Sequence, residues 1–193
     1  MKKLILFAGA LLIGLTTSLT AQATPLATSA DYTLSAAEEY PTKKTIQGTW
    51  KYSELTFENR GGDDFANMVV YGLRSQTSTI VGLIGFDTKD VVLKIDAKQT
   101  SITQNSQTAT CDYTYEPKSG EIEFKGTTNG TEWSIKGIAV DKGGALCILF
   151  DVRELIELAN KVSPELKSNS QFTALAGMLK DQKGIFVGAK FTK

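Results

Sequence analysis

Tyr113, Tyr115, Phe124 and Trp133 fall in segments that read as three successive strands. Strand geometry sends every second side chain to the same face, so the inward-facing members can form one continuous wall. Such a wall offers apolar area, and the tyrosine hydroxyls or the indole N–H of Trp133 can give a bound molecule its direction. Phe65, Met68, Val69 and Leu73 repeat at three- and four-residue spacing, the stripe of an amphipathic helix. Placed over the wall, that stripe is a lid. The plainer reading of both sets is packing, since small closed sheets fill their interiors with side chains and methionine stripes at helical spacing belong mostly to cores.

Other chemistries find less support. There is no histidine, which removes the usual Ser-His-Asp and Cys-His machinery. The carboxylate pairs Asp63-Asp64 and Glu121/Glu123 have the residue types for acid and base work on a glycoside, but neighbours of this kind usually belong to a solvated surface or a helix start. Gly61-Gly62 and Gly143-Gly144 lack the later Gly or Lys of a phosphate loop. Asn129-Gly130-Thr131 matches a glycosylation acceptor but is already explained as a hairpin turn. Cys111 and Cys147 are the two cysteines. They sit in strands separated by two others, a spacing that puts their Cα atoms too far apart to bridge in a meander. Two buried free thiols are expected, and without histidine no zinc spacing exists. Nothing in the sequence implies a cofactor.

The elements that must position these residues begin with IQGTWKYSELTFE, residues 46–58, the first segment rich in β-branched and aromatic residues. A helical insertion over 63–83 follows, with Asp63 and Asp64 at its favourable end. From Asp90 onward come short strands and turns: 91–96, 100–104, 108–115 and 121–125, then 132–140 with a bulge expected at Gly137, where the inward face would change parity. The run 145–150 is almost wholly apolar and so is expected to be covered on both faces. Asp151 caps a helix through Leu155, Ile156, Leu158, Ala159 and Val162, a second helix spans 170–180, and Ile185 opens a last strand. About eight strands result, the number that closes a small up-and-down barrel. Closure requires the segment around Trp50 to pair with the one around Val187. A β-sandwich with helices on one face is the rival arrangement.

At the N-terminus, Lys2 and Lys3 precede an apolar run from Leu4 to Leu15 and the small-x-small pattern Ala21-Gln22-Ala23, the layout of a cleaved signal peptide over 1–23. The run falls short of the ~20 residues that span a bilayer. No cysteine stands at the junction for lipid attachment. Residues 24–45, rich in Ala, Thr, Ser and Glu, read as a flexible leader in which Ser35 and Glu38 have capping-box spacing. Without Lys2 and Lys3 the basic residues fall from 21 to 19 against 21 acidic ones. That balance does not recruit nucleic acid. The expectation is a periplasmic or secreted protein with one domain over 46–193.

Gly48-Thr49-Trp50 at the start of a first strand resembles the Gly-x-Trp signature of lipocalin-like barrels. With the helical insertion, the meander, the late helical pair and the terminal strand, the chain resembles an exported bacterial family of lipocalin-like domains of unknown function. The resemblance implies an antiparallel barrel of about eight strands. It further implies that Trp50 plugs the closed end with a basic residue of the last strand across its face, for which Lys190 is the candidate, and that the insertion covers the open end. The functional expectation is a non-enzymatic protein binding a small apolar or amphipathic molecule. The alternative is an envelope or host interaction module without an internal ligand.

Overall fold

Strand β1 (Gly48–Asn59) alternates as a half-covered strand should: Trp50, Leu55 and Phe57 are buried while Lys51, Ser53 and Glu54 face solvent. Its partners settle the architecture. In the computed structural model, which describes residues 38–61, 63–75, 77, 89–128, 130–163, 168 and 170–193, β1 pairs with β2 (Val92–Ile95) on one side and with β8 (Ile185–Thr192) on the other. Between them β3 (Gln99–Gln104), β4 (Gln107–Glu116), β5 (Glu121–Thr128), β6 (Thr131–Lys142) and β7 (Ala145–Asp151) each pair antiparallel with their sequence neighbours. The result is a closed barrel, β1 through β8 in order. The expected closure holds, and the sandwich is excluded. Closing the ring leaves no strand at a free edge among the described residues.

Inward positions follow from the register. Leu55 lies beside Ala189, Phe57 beside Val187, and Ile148 beside Ala189 in turn. These join Trp50, Leu93, Ile122, Ile135 and Phe191 in the main core. On the opposite face Val140, Cys147 and Leu149 form a second buried cluster with Ile138 and Phe186, so β7 is covered on both faces as its composition demanded. The bulge expected at Gly137 is not there: β6 keeps one unbroken register against β5 through that residue, and its pairing with β7 runs without a shift from Ile138. Ile138 and Val140 are apolar because the outer wall is covered, not because parity changes. Gly137 serves close approach instead, since a Cβ there would stand 2.6 Å from the Leu149 carbonyl oxygen. The register shift in the barrel falls in β1, between Tyr52 and Glu54.

Helix α1 (Asp64–Ser75) starts where Asp63 Oδ1 accepts the Ala66 N–H at 3.0 Å, a side-chain cap for an orphan donor. It is fastened to β1 by Arg74 Nε, which donates to the Phe57 carbonyl at 2.7 Å, and by a 2.7 Å bond from Asn59 to Asn67. Helix α2 (Val152–Val162) has the expected cap, Asp151 accepting from the Arg153 N–H, and buries Leu155, Ile156, Ala159 and Val162. Helix α3 (Ser170–Leu179) buries Phe172 and Leu179. Both precede β8.

Contacts reach back into the stretch read as leader. Asp141 N–H donates to the Glu39 carbonyl at 2.7 Å and Tyr115 to that of Pro41 at 2.7 Å. Glu38 and Glu58 alternate with Lys142 and Arg60 in a ring of four ion pairs between 2.8 and 3.0 Å. Burial alone would raise the Glu38 carboxyl, but Lys142 and Arg60 outweigh it and hold it below the ordinary value. The expected signal peptide at 1–23, residues 24–37 with their capping box, the 78–83 end of the insertion and Asn129 of the hairpin lie outside the described residues.

Candidate functional site

Gly48 has φ +135°, a conformation L side chains rarely adopt, and it delivers the chain into β1 with Trp50 buried. The indole N–H donates to the Ile46 carbonyl at 2.9 Å, so the ring's polar edge is satisfied within its own turn. The cation across its face is Lys193, with Nζ 4.6 Å from the ring centre. Lys190, expected there, is on the outer wall, paired with Glu54 at 3.0 Å. Parity decides this: Ile185, Val187, Ala189 and Phe191 point inward, which sends Lys190 out and returns Lys193 to the inner side.

Across the ring from this plug the interior changes character. Inward residues of β6, β7 and β8 such as Trp133, Ile135, Leu146, Ile148, Phe150 and Val187 are buried, with Thr131 and Asp141 half-buried at the two ends of β6. On β3 Thr100 is buried, but Ile102, Gln104, Ala109, Cys111, Tyr113 and Tyr115 of β3 and β4 stay half-buried, and β4 alternates half-buried with exposed over most of its length without one buried residue. The helices account for part of the asymmetry. Helix α1 lies against β1 and β8, and α2 against β6, β7 and β8. β4 and the stretch of β3 from Ile102 to Gln104 therefore keep an inner face within reach of solvent among the described residues, while β5 beside them buries Ile122 and Phe124.

The predicted site residues divide along this line. Tyr113 and Tyr115 sit on the open wall. Tyr113 donates its hydroxyl hydrogen to the Asp96 carbonyl at 2.6 Å and Tyr115 to that of Pro41. Burial, helped by Glu116 and the Tyr40 phenol, pushes Tyr115 up to about 12, and burial with Asp96 raises Tyr113. Phe124 backs this wall, its ring 6.4 Å from Tyr113 and 5.9 Å from Phe150. Trp133 is committed elsewhere: it lies over Gly126, where an added Cβ would come within 2.4 Å of the indole, and donates to Thr128 Oγ1 at 3.0 Å.

The lid residues separate too. Val69 and Leu73 pack against the core beside buried Ala66 and Val70, whereas Phe65 is half-buried outside that cluster and Met68 is 59% exposed. The buried stripe is thus rotated toward 66, 70 and 73, and α1 stands over β1 and β8 rather than over the tyrosines. Sequence reasoning missed Cys111 as a wall residue, although its i, i+2, i+4 relation to Tyr113 and Tyr115 places it on their face. Burial, with Asp112 adding to it, pushes its thiol up to about 12. Cys147 faces the other way, in the outer cluster, and burial takes it to about 11. Both thiols are free, as expected, and the opposite faces of the wall keep them apart.

Among the described residues no group of three or more His, Cys, Asp or Glu side chains is placed to hold a metal ion, and no helix is long and apolar enough to cross a membrane. A closed antiparallel barrel of eight strands, with helices after the first strand and before the last, is consistent with the lipocalin-like class. Residues 26–193 match the lipocalin-like domain family DUF4923, a domain of unknown function, and the chain belongs to that family. No curated protein and no solved structure gives a significant match.

Proposed function

We propose that this protein binds a small apolar or amphipathic molecule against the inner face of β3 and β4 and does no chemistry on it. The observation that carries the reading is the unburied alternation of β4 opposite the filled wall of β6 to β8. Side chains that only packed a core would be covered on both walls, and an apolar concave face with a few polar groups is what a small-molecule site requires. The absence of a reaction is supported by the Cys111 thiol and the two tyrosines, which are held protonated rather than activated. Native mass spectrometry of the protein purified from its own compartment tests the proposal. A co-purifying small molecule, released on unfolding, is expected; protein of bare chain mass, with no uptake of a neutral apolar fluorophore, overturns it.

A second reading has its own observation. Met68 and Tyr71 on α1 are 59% and 61% exposed, a pair that suits contact with an envelope or host component. Export in either case rests on the Lys2-Lys3 start, the apolar run and Ala21-Gln22-Ala23. N-terminal sequencing of the mature protein is expected to begin near Thr24.

A further inference from the structure

The inward positions of the eight strands carry almost no charge. Reading the register from Trp50 and Leu55 round to Phe191, the exception is Asp141 at the β6–β7 turn, whose carboxylate accepts the Gly144 N–H at 2.7 Å. No lysine or arginine of a strand faces inward to meet an anionic group. At the aromatic end of the open wall, the hydroxyl hydrogens of Tyr113 and Tyr115 are spent on backbone carbonyls. Each phenol oxygen can then only accept. Asp112 and Glu116 occupy exposed, outward positions of β4 and Asp96 is paired with Lys94 at 3.2 Å, and the cation on the inner side, Lys193, stands over Trp50.

We infer that the crevice along β4 selects apolar molecules whose polar end is a neutral or cationic hydrogen-bond donor, such as an alcohol, an amide N–H or an ammonium group, and rejects fatty-acid-like anions. The inference rests on the container reading above. A donor reaching the tyrosine oxygens completes their hydrogen bonding. A carboxylate there finds acceptors facing acceptors and no inward lysine or arginine on the strands, and it must shed its hydration without replacement.

Dodecanol, dodecylammonium and dodecanoate, all below their micellar concentrations, are titrated against the mature protein loaded with a neutral apolar fluorophore. In parallel, alkylation of Cys111 is followed by peptide mass spectrometry, with buried, outward-facing Cys147 as the internal control. Dodecanol and dodecylammonium are expected to displace the fluorophore about tenfold or more tighter than dodecanoate, the ratio of a single 1.4 kcal/mol difference, and to slow alkylation of Cys111 alone. Dodecanoate binding as tightly as dodecanol overturns the selectivity while leaving a container. Displacement without protection of Cys111 overturns the crevice as its location. If none of the three displaces the fluorophore and the fluorophore itself does not bind, the container reading falls, and this inference with it.

Discussion

Gly188 is a position where β8 leaves no room for a side chain beside β7, and replacing it with alanine puts the barrel geometry to a direct test. A Cβ built there lies 1.9 Å from the Ile148 carbonyl oxygen and 2.8 Å from the Leu149 Cα, both backbone atoms, whereas real Cβ contacts essentially never fall under 3.0 Å. No rotamer change relieves such a clash. The two strands must part, and Gly188 and Leu149 stand opposite each other in the register. Parting them weakens ladder hydrogen bonds whose buried groups have no water to turn to, at about 1–3 kcal/mol for each group left unsatisfied, on top of the strain of overpacking. Gly188→Ala is therefore expected to lose about 3 kcal/mol or more. For a domain of this size that is a fall of roughly 6–12 °C in Tm. Gly72→Ala is the matched control: in helix α1 its Cβ meets nothing within 4 Å, and alanine in place of a helical glycine adds about 0.5–1 kcal/mol. Thermal melts followed by circular dichroism compare the two. Parent-like melting of Gly188→Ala, or equal effects of the two substitutions, would refute the β7–β8 packing described here.

Trp133→Phe removes the donor to Thr128 Oγ1 inside the core and is expected to cost about 1–3 kcal/mol in urea denaturation; an unchanged midpoint would mean the indole N–H is not committed there. Lys193→Ala should lower stability by about 0.5–1 kcal/mol through its loss from the Trp50 face. Lys190→Ala, which breaks only the exposed pair with Glu54, should change it less, and the reverse order would restore Lys190 as the partner of Trp50. Both thiols are pushed above their ordinary value of 9.0, to about 12 and about 11, so above pH 9 the unfolded chain ionises first. The native state then holds more protons than the unfolded one, and stability, complete below pH 9, falls as the pH rises toward 11. A Cys111→Ala, Cys147→Ala double variant should flatten that fall between pH 9 and 10 in urea titrations, and an unaltered slope would contradict it.

Much of this architecture could be read from the chain because its local signals agree with one another. Strict alternation in β5, the Asp151 cap and the doubly apolar β7 each have one structural solution, and the pairing of β1 with β8 follows once eight strands need a closed edge. Lys190 was legible too, flanked by inward Ala189 and Phe191. What was hidden involved a choice between faces that chemistry along the chain does not settle. The apolar residues of α1 run more than halfway round it, so spacing alone admitted Phe65 and Met68 where packing chose Ala66 and Val70. Ile138 and Val140 looked like a parity change because nothing local announces a covered outer wall. The open inner face of β4 was invisible for a similar reason: Tyr113 and Tyr115 alternate in the same way whether or not a neighbour fills the space beside them.

The seam between β1 and β8 has a kinetic corollary. Lys51 lies beside Thr192 and Asn59 beside Ile185, so the ring joins the first strand of the barrel to the eighth. While the chain is being synthesised β1 can find β2, yet its other edge stays bare until β8 has left the ribosome. Long-range pairing of this kind makes folding slow relative to local hairpins, and the unsealed strand is a ready point of capture for a chaperone or for another nascent copy.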